Sequence, residues 1–311
     1  MKAAMYDTVK LWLDTLDTDG LETVLSGFQK RVNPETGDYY QWGDLKNLSV
    51  KAGGRGVVIE GSLPKYLFGN NLEPMTRQAA QEAIKNLSDT LHLPIEQARV
   101  CRLDVAQNFI MMRPVIDYLS AFLTARYYKR TDIGDKGTVS FCNGLRKLLF
   151  YDKTRELEKH KQEIPDSFRG KNILRYECQF MRRIGKQFGR QIVTAENLYD
   201  EVFYRKPVKR WNAEYYLIQK VRSERALNMR GQREYLQSLA LYGLQNIGGA
   251  EIALDLIKGA RQRGEIGDKM SQRLKKLTIA IVQAREATEP PDGDFIRELD
   301  EKVGEAFRLA G

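Results

Sequence analysis

The chain has 311 residues, 42% of them hydrophobic, enough for one large domain or two ordinary ones with packed cores. Its formal net charge of +9 points toward an anionic partner. No apolar run is long enough to span a bilayer and the N-terminus lacks a signal-peptide pattern, so a cytoplasmic protein with no membrane partner is expected. The only histidines, His92 and His160, are far apart, which excludes a multi-histidine metal site within one chain. Any metal would be held mainly by oxygen. Cys101, Cys142 and Cys178 have neither metal-type nor disulfide-type spacing. All three fall in predicted strands and read as buried free thiols in a reducing compartment.

Taken in order, Tyr6–Leu13 alternates as a first strand. Asp17–Gly20 and Asn33–Gly37 carry turn chemistry. Asn47–Lys51 and Gly56–Gly61 read as two short strands joined by Gly53-Gly54-Arg55, and Ser62–Asn71 (S-L-P-K-Y-L-F-G-N-N) as a loop. Thr76 caps a predicted helix with Ala80, Ala83, Ile84, Leu87 and Leu91 on one stripe. Val100–Phe109 is a strand whose faces separate into Cys101, Leu103, Val105 and Phe109 against Arg102, Asp104, Ala106 and Asn108. Pro114 opens a second helix at its first position.

Asn143-Gly144 sits between two β-rich runs and predicts a two-residue hairpin turn with φ > 0 at both positions. Thr138–Cys142 and Leu145–Tyr151 then pair antiparallel. Period two puts Leu149, Tyr151 and Lys153 on one face and Leu148 and Phe150 on the other. In Ile173–Phe180, Leu174, Tyr176, Cys178 and Phe180 oppose Arg175, Glu177 and Gln179. After about Pro207 alternation gives way to helical periodicity, and Pro290-Pro291-Asp292-Gly293 precedes a final helix. The expected organisation is residues 1–207 as an α+β domain, followed by a helical C-terminal domain over 208–311.

Three strands thus offer polar residues in similar phase: Asp104, Tyr151 with Lys153, and Glu177. Two carboxylates from separate strands suit Mg²⁺ or Mn²⁺, which could polarise a phosphodiester oxygen. A neighbouring tyrosine could attack the phosphorus and hold it as a phosphotyrosine. Lys153 could neutralise the phosphate or lower the tyrosine's pKa. By pattern alone the stronger reading is structural: Arg-x-Asp and Arg-x-Glu on a half-exposed face are usually cross-strand ion pairs, and a strand tyrosine is usually packing.

Four segments carry a resemblance to the gene II/X family of phage and plasmid replication proteins, the rolling-circle initiators. S-L-P-K-Y-L-F-G-N-N is similar to its S-P-A-K-x-L-x-G-H-N loop, with Asn70 where the family often has histidine. C-R-L-D-V resembles its S-R-I-D strand, F-Y-D-K-T-R-E-L its Y-x-K-x-x-E-L segment, and L-R-Y-E-C-Q-F-M-R-R-I-G-K-Q-F-G its V-R-F-E-x-R segment with a basic tail. They occur in the family's order between Tyr6 and Gly189.

The resemblance implies an HUH-endonuclease-like domain, a central antiparallel sheet flanked by helices but without the paired histidines, that nicks one strand at an origin. Tyr151 matches the nucleophile, and Lys153 and Glu156 its accompanying positions. Asp104 and Glu177 match the acidic strand positions, read as ligands of Mg²⁺ or Mn²⁺, with Glu156 either a third ligand or a partner of Lys153 or Lys159. Arg182, Arg183 and Lys186 read as a phosphate track or a solvated face. Lys65 and Asn70 contact DNA or cap the next helix. The implied partners are origin DNA, a host helicase and DNA polymerase. A mobilisation relaxase would use the same site, and a non-catalytic origin-binding protein the same scaffold.

Overall fold

The computed structural model describes residues 5–15, 18–72, 75–132, 137–162, 165–220, 232–286 and 295–310. It is α+β, built on one ten-stranded sheet. The strands are β1 (Met5–Leu13), β2 (Ser26–Val32), β3 (Tyr39–Leu45), β4 (Leu48–Gly53), β5 (Gly56–Ser62), β6 (Arg99–Met111), β7 (Phe122–Ala125), β8 (Lys129–Asp132), β9 (Thr138–Cys142), β10 (Arg146–Asp152), β11 (Asn172–Phe180) and β12 (Ile218–Lys220). The order across the sheet is β2-β3-β4-β5-β1-β6-β11-β10-β9-β8, and every neighbouring pair is antiparallel. A second, two-stranded sheet joins β12 to β7.

The helices are α1 (Leu21–Val24), α2 (Leu63–Phe68), α3 (Arg77–Leu91), α4 (Val115–Ala121), α5 (Lys153–Lys159), α6 (Ile184–Gln187), α7 (Glu201–Tyr216), α8 (Gln232–Asn246), α9 (Ala250–Gln262), α10 (Asp268–Glu286) and α11 (Phe295–Leu309). Thr76 caps α3 as its sequence predicts, its side chain accepting from the Ala79 amide. Three expectations shift. The Ser62–Asn71 stretch is largely helical, because the Ser62 side chain accepts from the Lys65 amide and Pro64 lies in the first turn. Pro114 is the N-cap of α4 rather than its first residue. The β9–β10 turn centres on Gly144 and Leu145, closed by the Asn143 amide on the Arg146 carbonyl at 2.9 Å. The Asn143 side chain accepts from the Leu145 and Arg146 amides, so an Asx turn replaces the left-handed pair. Cys142 therefore pairs with Lys147, which keeps Leu148 and Phe150 on the apolar face as expected.

That apolar face of β6, β11 and β10 is the core. Phe150 stacks on Tyr176 with ring centroids 4.4 Å apart, and Tyr176 on Trp211 of α7 at 4.9 Å. Trp211 is fully buried, and the Tyr176 hydroxyl donates to its carbonyl at 2.9 Å. Cys178 lies in this core, whereas Cys101 and Cys142, expected to be buried, are only half-buried.

The chain divides into two compact units, one of Met1–Lys220 with Glu298–Gly311, the other Val221–Arg297. The break falls after β12 rather than at Pro207, because α7 runs through that proline, which is itself buried. From Glu298 on, α11 returns to the first unit. Leu299, Val303 and Ala306 are fully buried, and Tyr118 and the Met112 amide donate to the Glu298 carboxylate. Tyr215 donates to Asp300 at 2.7 Å. The second unit contains α8, α9 and α10; the Pro290–Gly293 break lies outside the described residues.

Candidate active site

The opposite face of the same strands carries charge. Glu177 lies opposite Leu149 on β10 and Ala106 on β6, and Gln179 opposite Asp104. Tyr151 pairs with Arg175. This register brings Asp104, Tyr151 and Glu177 onto one face, as period two predicts.

Arg175 organises the site. It is buried, and its guanidinium donates to Glu177 Oε1 at 2.7 Å, Asp7 Oδ2 at 2.5 Å, Asn108 Oδ1 at 3.0 Å and the Asn71 carbonyl at 3.2 Å. Asp7 reaches it because β1 slips register against β6 between Tyr6 and Val9, a bulge that turns the Asp7 carboxylate into the site. The Ser62 hydroxyl donates to its other oxygen at 2.6 Å. Burial alone would raise the Asp7 pKa, but the Arg175 charge and the hydrogen bonds from Ser62 and Arg175 outweigh it and hold it below the ordinary value.

Tyr151 donates to Glu177 Oε1 at 2.9 Å, and Gln179 donates to Glu177 Oε2 at 3.0 Å. Burial pushes the phenol well above its ordinary pKa, and Glu177, Asp7 and Glu156 add to the rise against Arg175. At neutral pH the phenol thus keeps its proton and aims it at a carboxylate. Of the two roles the sequence leaves open for Lys153, lowering the tyrosine's pKa is not the net effect. Lys153 also departs from its expected place on the strand. Asp152 caps α5 by accepting from the Arg155 amide, so Lys153 opens the helix. It is fully buried and bonds Glu156 Oε2 at 2.6 Å. Burial lowers its pKa, with Arg175 and Lys65 acting in the same direction, so Lys65 also stands within electrostatic reach.

Asp104 is buried and gripped by Arg102 through both oxygens, at 3.0 and 2.7 Å. Burial nevertheless pushes its pKa up to about 7, with Glu177 and Asp7 adding to the rise. Asp104 and Glu177 share this face, but Arg102 takes both oxygens of the first, and Arg175, Tyr151 and Gln179 take those of the second, so a divalent cation held here would have to displace some of these donors. Glu156 is engaged with Lys153. Among the described residues no cluster of three or more His, Cys, Asp or Glu is arranged to hold a metal ion.

The other predicted contacts divide. Asn70 is a turn residue, its side chain bonding the Leu72 amide and the Phe68 carbonyl. Arg182, Arg183 and Lys186 lie beyond the end of β11 away from Tyr151, and all three are exposed. Tyr204 and Tyr215 are buried elsewhere, bonded to the Met75 carbonyl and Asp300, and Tyr216 bonds the Asp300 carbonyl. Sequence reasoning missed Asp7, Arg175 as an organiser, Arg102 and Gln179. Asp7 had one signal, an acidic residue inside an apolar strand; the bulge that aims it had none.

No helix of the described residues is long and apolar enough to cross a membrane. No curated protein matches the chain. The family model for the N-terminal part of the replication-associated protein encoded by phage gene II matches residues 5–201, which takes in β1 through β11 and every residue of the cluster around Arg175. The chain therefore belongs to that family, the phage rolling-circle replication proteins of the gene II type.

Proposed function

We propose that this replication protein nicks one strand at an origin, with Tyr151 as the nucleophile and Glu177 as its proton acceptor. The observation that carries the reading is the 2.9 Å hydrogen bond from Tyr151 to Glu177 Oε1, an oxygen that Arg175 also holds. As the phenol oxygen bonds to phosphorus, its proton passes to Glu177 and the P–O3′ bond breaks. The departing 3′-oxygen is protonated from solvent and is free to prime synthesis. In the reverse reaction the 3′-hydroxyl attacks the phosphotyrosine, and Glu177 returns the proton to the phenol. Arg175 orients Glu177 through its 2.7 Å bond to Oε1. Lys153 and Lys65 supply positive charge near the phosphate. Asp104 and Glu177 would hold Mg²⁺ or Mn²⁺, which would polarise a non-bridging phosphate oxygen.

The test is incubation with supercoiled plasmid bearing the element's own origin and Mg²⁺ or Mn²⁺. Wild-type protein is expected to give nicked DNA bearing covalently attached protein, with the nucleotide on the tryptic peptide containing Tyr151. Tyr151→Phe is expected to fold and bind yet give neither nick nor adduct. An adduct on Tyr199, Tyr204, Tyr215 or Tyr216 would overturn the assignment. Binding without any adduct would favour a non-catalytic origin-binding protein.

A further inference from the structure

The register extends the charged face far beyond the tyrosine. Lys10 pairs with Arg102 on one side and Glu60 on the other, so β1 and β5 continue the face that holds Asp104. Two residues along, Trp12 pairs with Val58, Val58 with Lys51, and Lys51 with Trp42. Toward the sheet centre Trp12 pairs with Arg99. Trp42, Lys51, Val58, Trp12 and Arg99 therefore form a single row across β3, β4, β5, β1 and β6. Its four strand spacings span roughly 19 Å.

This row is open. Lys51 and Arg99 are exposed, and Trp12, Trp42 and Val58 are partly so. Tyr40, 46% exposed, packs beside Trp42 with ring centroids 5.3 Å apart. Gly53 and Gly56 keep the floor flat next to the rings. A Cβ on Gly53 would stand 3.5 Å from the Tyr40 ring, and one on Gly56 3.2 Å from that of Trp12. The cations are uncommitted: among the described residues Arg31 (opposite Tyr40), Lys51 and Arg99 have no ion-pair partner. At its inner end Arg99 lines a cleft of about 420 Å³ with Arg183 and Lys186. Those two are likewise unpaired among the described residues. By contrast Arg102, Arg146, Arg175 and Arg210 all hold carboxylates.

We infer that this row is a subsite for single-stranded DNA, separate from the tyrosine. Bases stack on Trp12 and on the Trp42–Tyr40 pair, and phosphates lie against Lys51, Arg31 and Arg99, with the Arg183–Lys186 cleft continuing the backbone path. Flat exposed aromatics interleaved with unpaired cations are the chemistry of sequence-tolerant single-strand binding. An unpaired strand, rather than duplex, is the occupant because only unpaired bases offer free faces to rings lying on a sheet. The inference rests on the nicking reading for its source of single-stranded DNA, the strand on one side of the cut.

The protein carries its own probe. Its three tryptophans are Trp12, Trp42 and Trp211, and Trp211 is fully buried, so the two accessible indoles are the two in the row. Titration of the full chain with a twenty-nucleotide oligo(dT) is expected to quench tryptophan emission in step with binding measured by anisotropy. Trp12→Ala or Trp42→Ala is expected to weaken binding roughly five- to a hundredfold. Lys51→Ala and Arg99→Ala are each expected to reduce the salt slope by about 0.7. Trp42→Phe keeps a stacking ring, so it should retain binding while losing part of the signal, which guards against a folding defect in the alanine variant. Tyr151→Phe, inactive under the nicking reading, should be quenched like wild type, so loss of nicking and loss of the subsite are separable. Binding without quenching, no binding at low salt, or stronger quenching by duplex of the same length would each overturn the inference.

Discussion

Replacing Arg175 by methionine tests the architecture of the site most directly. The side chain is 2% exposed and compensates two carboxylates, Asp7 at 2.5 Å and Glu177 at 2.7 Å. Methionine fills much of the volume but leaves both acids buried without a counter-charge. Breaking a buried pair in this way costs about 3–5 kcal/mol. In a unit of this size 1 kcal/mol is worth about 2–4 °C, so the melting temperature should fall by about 6–20 °C. Thermal unfolding followed by circular dichroism at pH 7 measures this. The companion variant Asp7→Asn with Arg175→Met should lose less than the sum of its parts by roughly 0.5–3 kcal/mol, because one stranded charge has been removed. The pH profile has a definite sign. The folded-state pKa of Asp7 lies below its ordinary 3.8, so its contribution is complete above that value and disappears as pH falls through the folded pKa. Arg175→Met should lack this part of the wild type's acid sensitivity. A loss under about 1 kcal/mol, or strict additivity with Asp7→Asn, would refute the claim that Arg175 ties these acids together.

Mn²⁺ should raise the melting temperature of wild type, by about 2.7 kcal/mol of stabilisation at a hundred times its dissociation constant, and should do so far less for Asp104→Asn. Because the Asp104 carboxyl is pushed up to about 7, the proton competes, and the Mn²⁺ effect should grow as pH rises through 7. Trp211→Ala should cost about 3–5 kcal/mol in denaturant unfolding, since it removes a fully buried ring stacked on Tyr176 and Phe109. Gly56→Ala should destabilise by more than an ordinary surface change. Its φ is +135° and an added Cβ would stand 2.2 Å from the Leu13 carbonyl oxygen, so a melting temperature equal to wild type would contradict the β1–β5 pairing.

Much of the central sheet was legible because alternation is a local signal. The faces of β6, β10 and β11 follow from period two, and Asp104, Tyr151 and Glu177 meet on one of them as that period requires. What escaped the sequence depends on non-local geometry. Asp7 enters through a bulge whose partner strand lies some hundred residues away. Lys153 continues the strand pattern on paper, but the Asp152 cap starts a helix first. The direction of the Tyr151 pKa was not legible, because burial, which no short motif reports, outweighs nearby positive charge. The break after Lys220 was not legible because helical periodicity sets in before it: α7 already belongs to the first unit and runs through Pro207.

The return of α11 to the first unit has a consequence for the order of assembly. Every strand of the sheet has been synthesised once Lys220 leaves the ribosome, but the surface covered by Leu299, Val303 and Ala306 stays bare until α11 emerges. At about 5–20 residues per second the intervening chain takes roughly 5–20 s to make. During that interval Tyr118 and the Met112 amide lack the Glu298 carboxylate that later receives them. A chain released early at Lys220 would keep that wound permanently, whereas excising 221–297 and rejoining the ends would close it. Closure of the first unit therefore waits for synthesis of α11, which acts as its clasp.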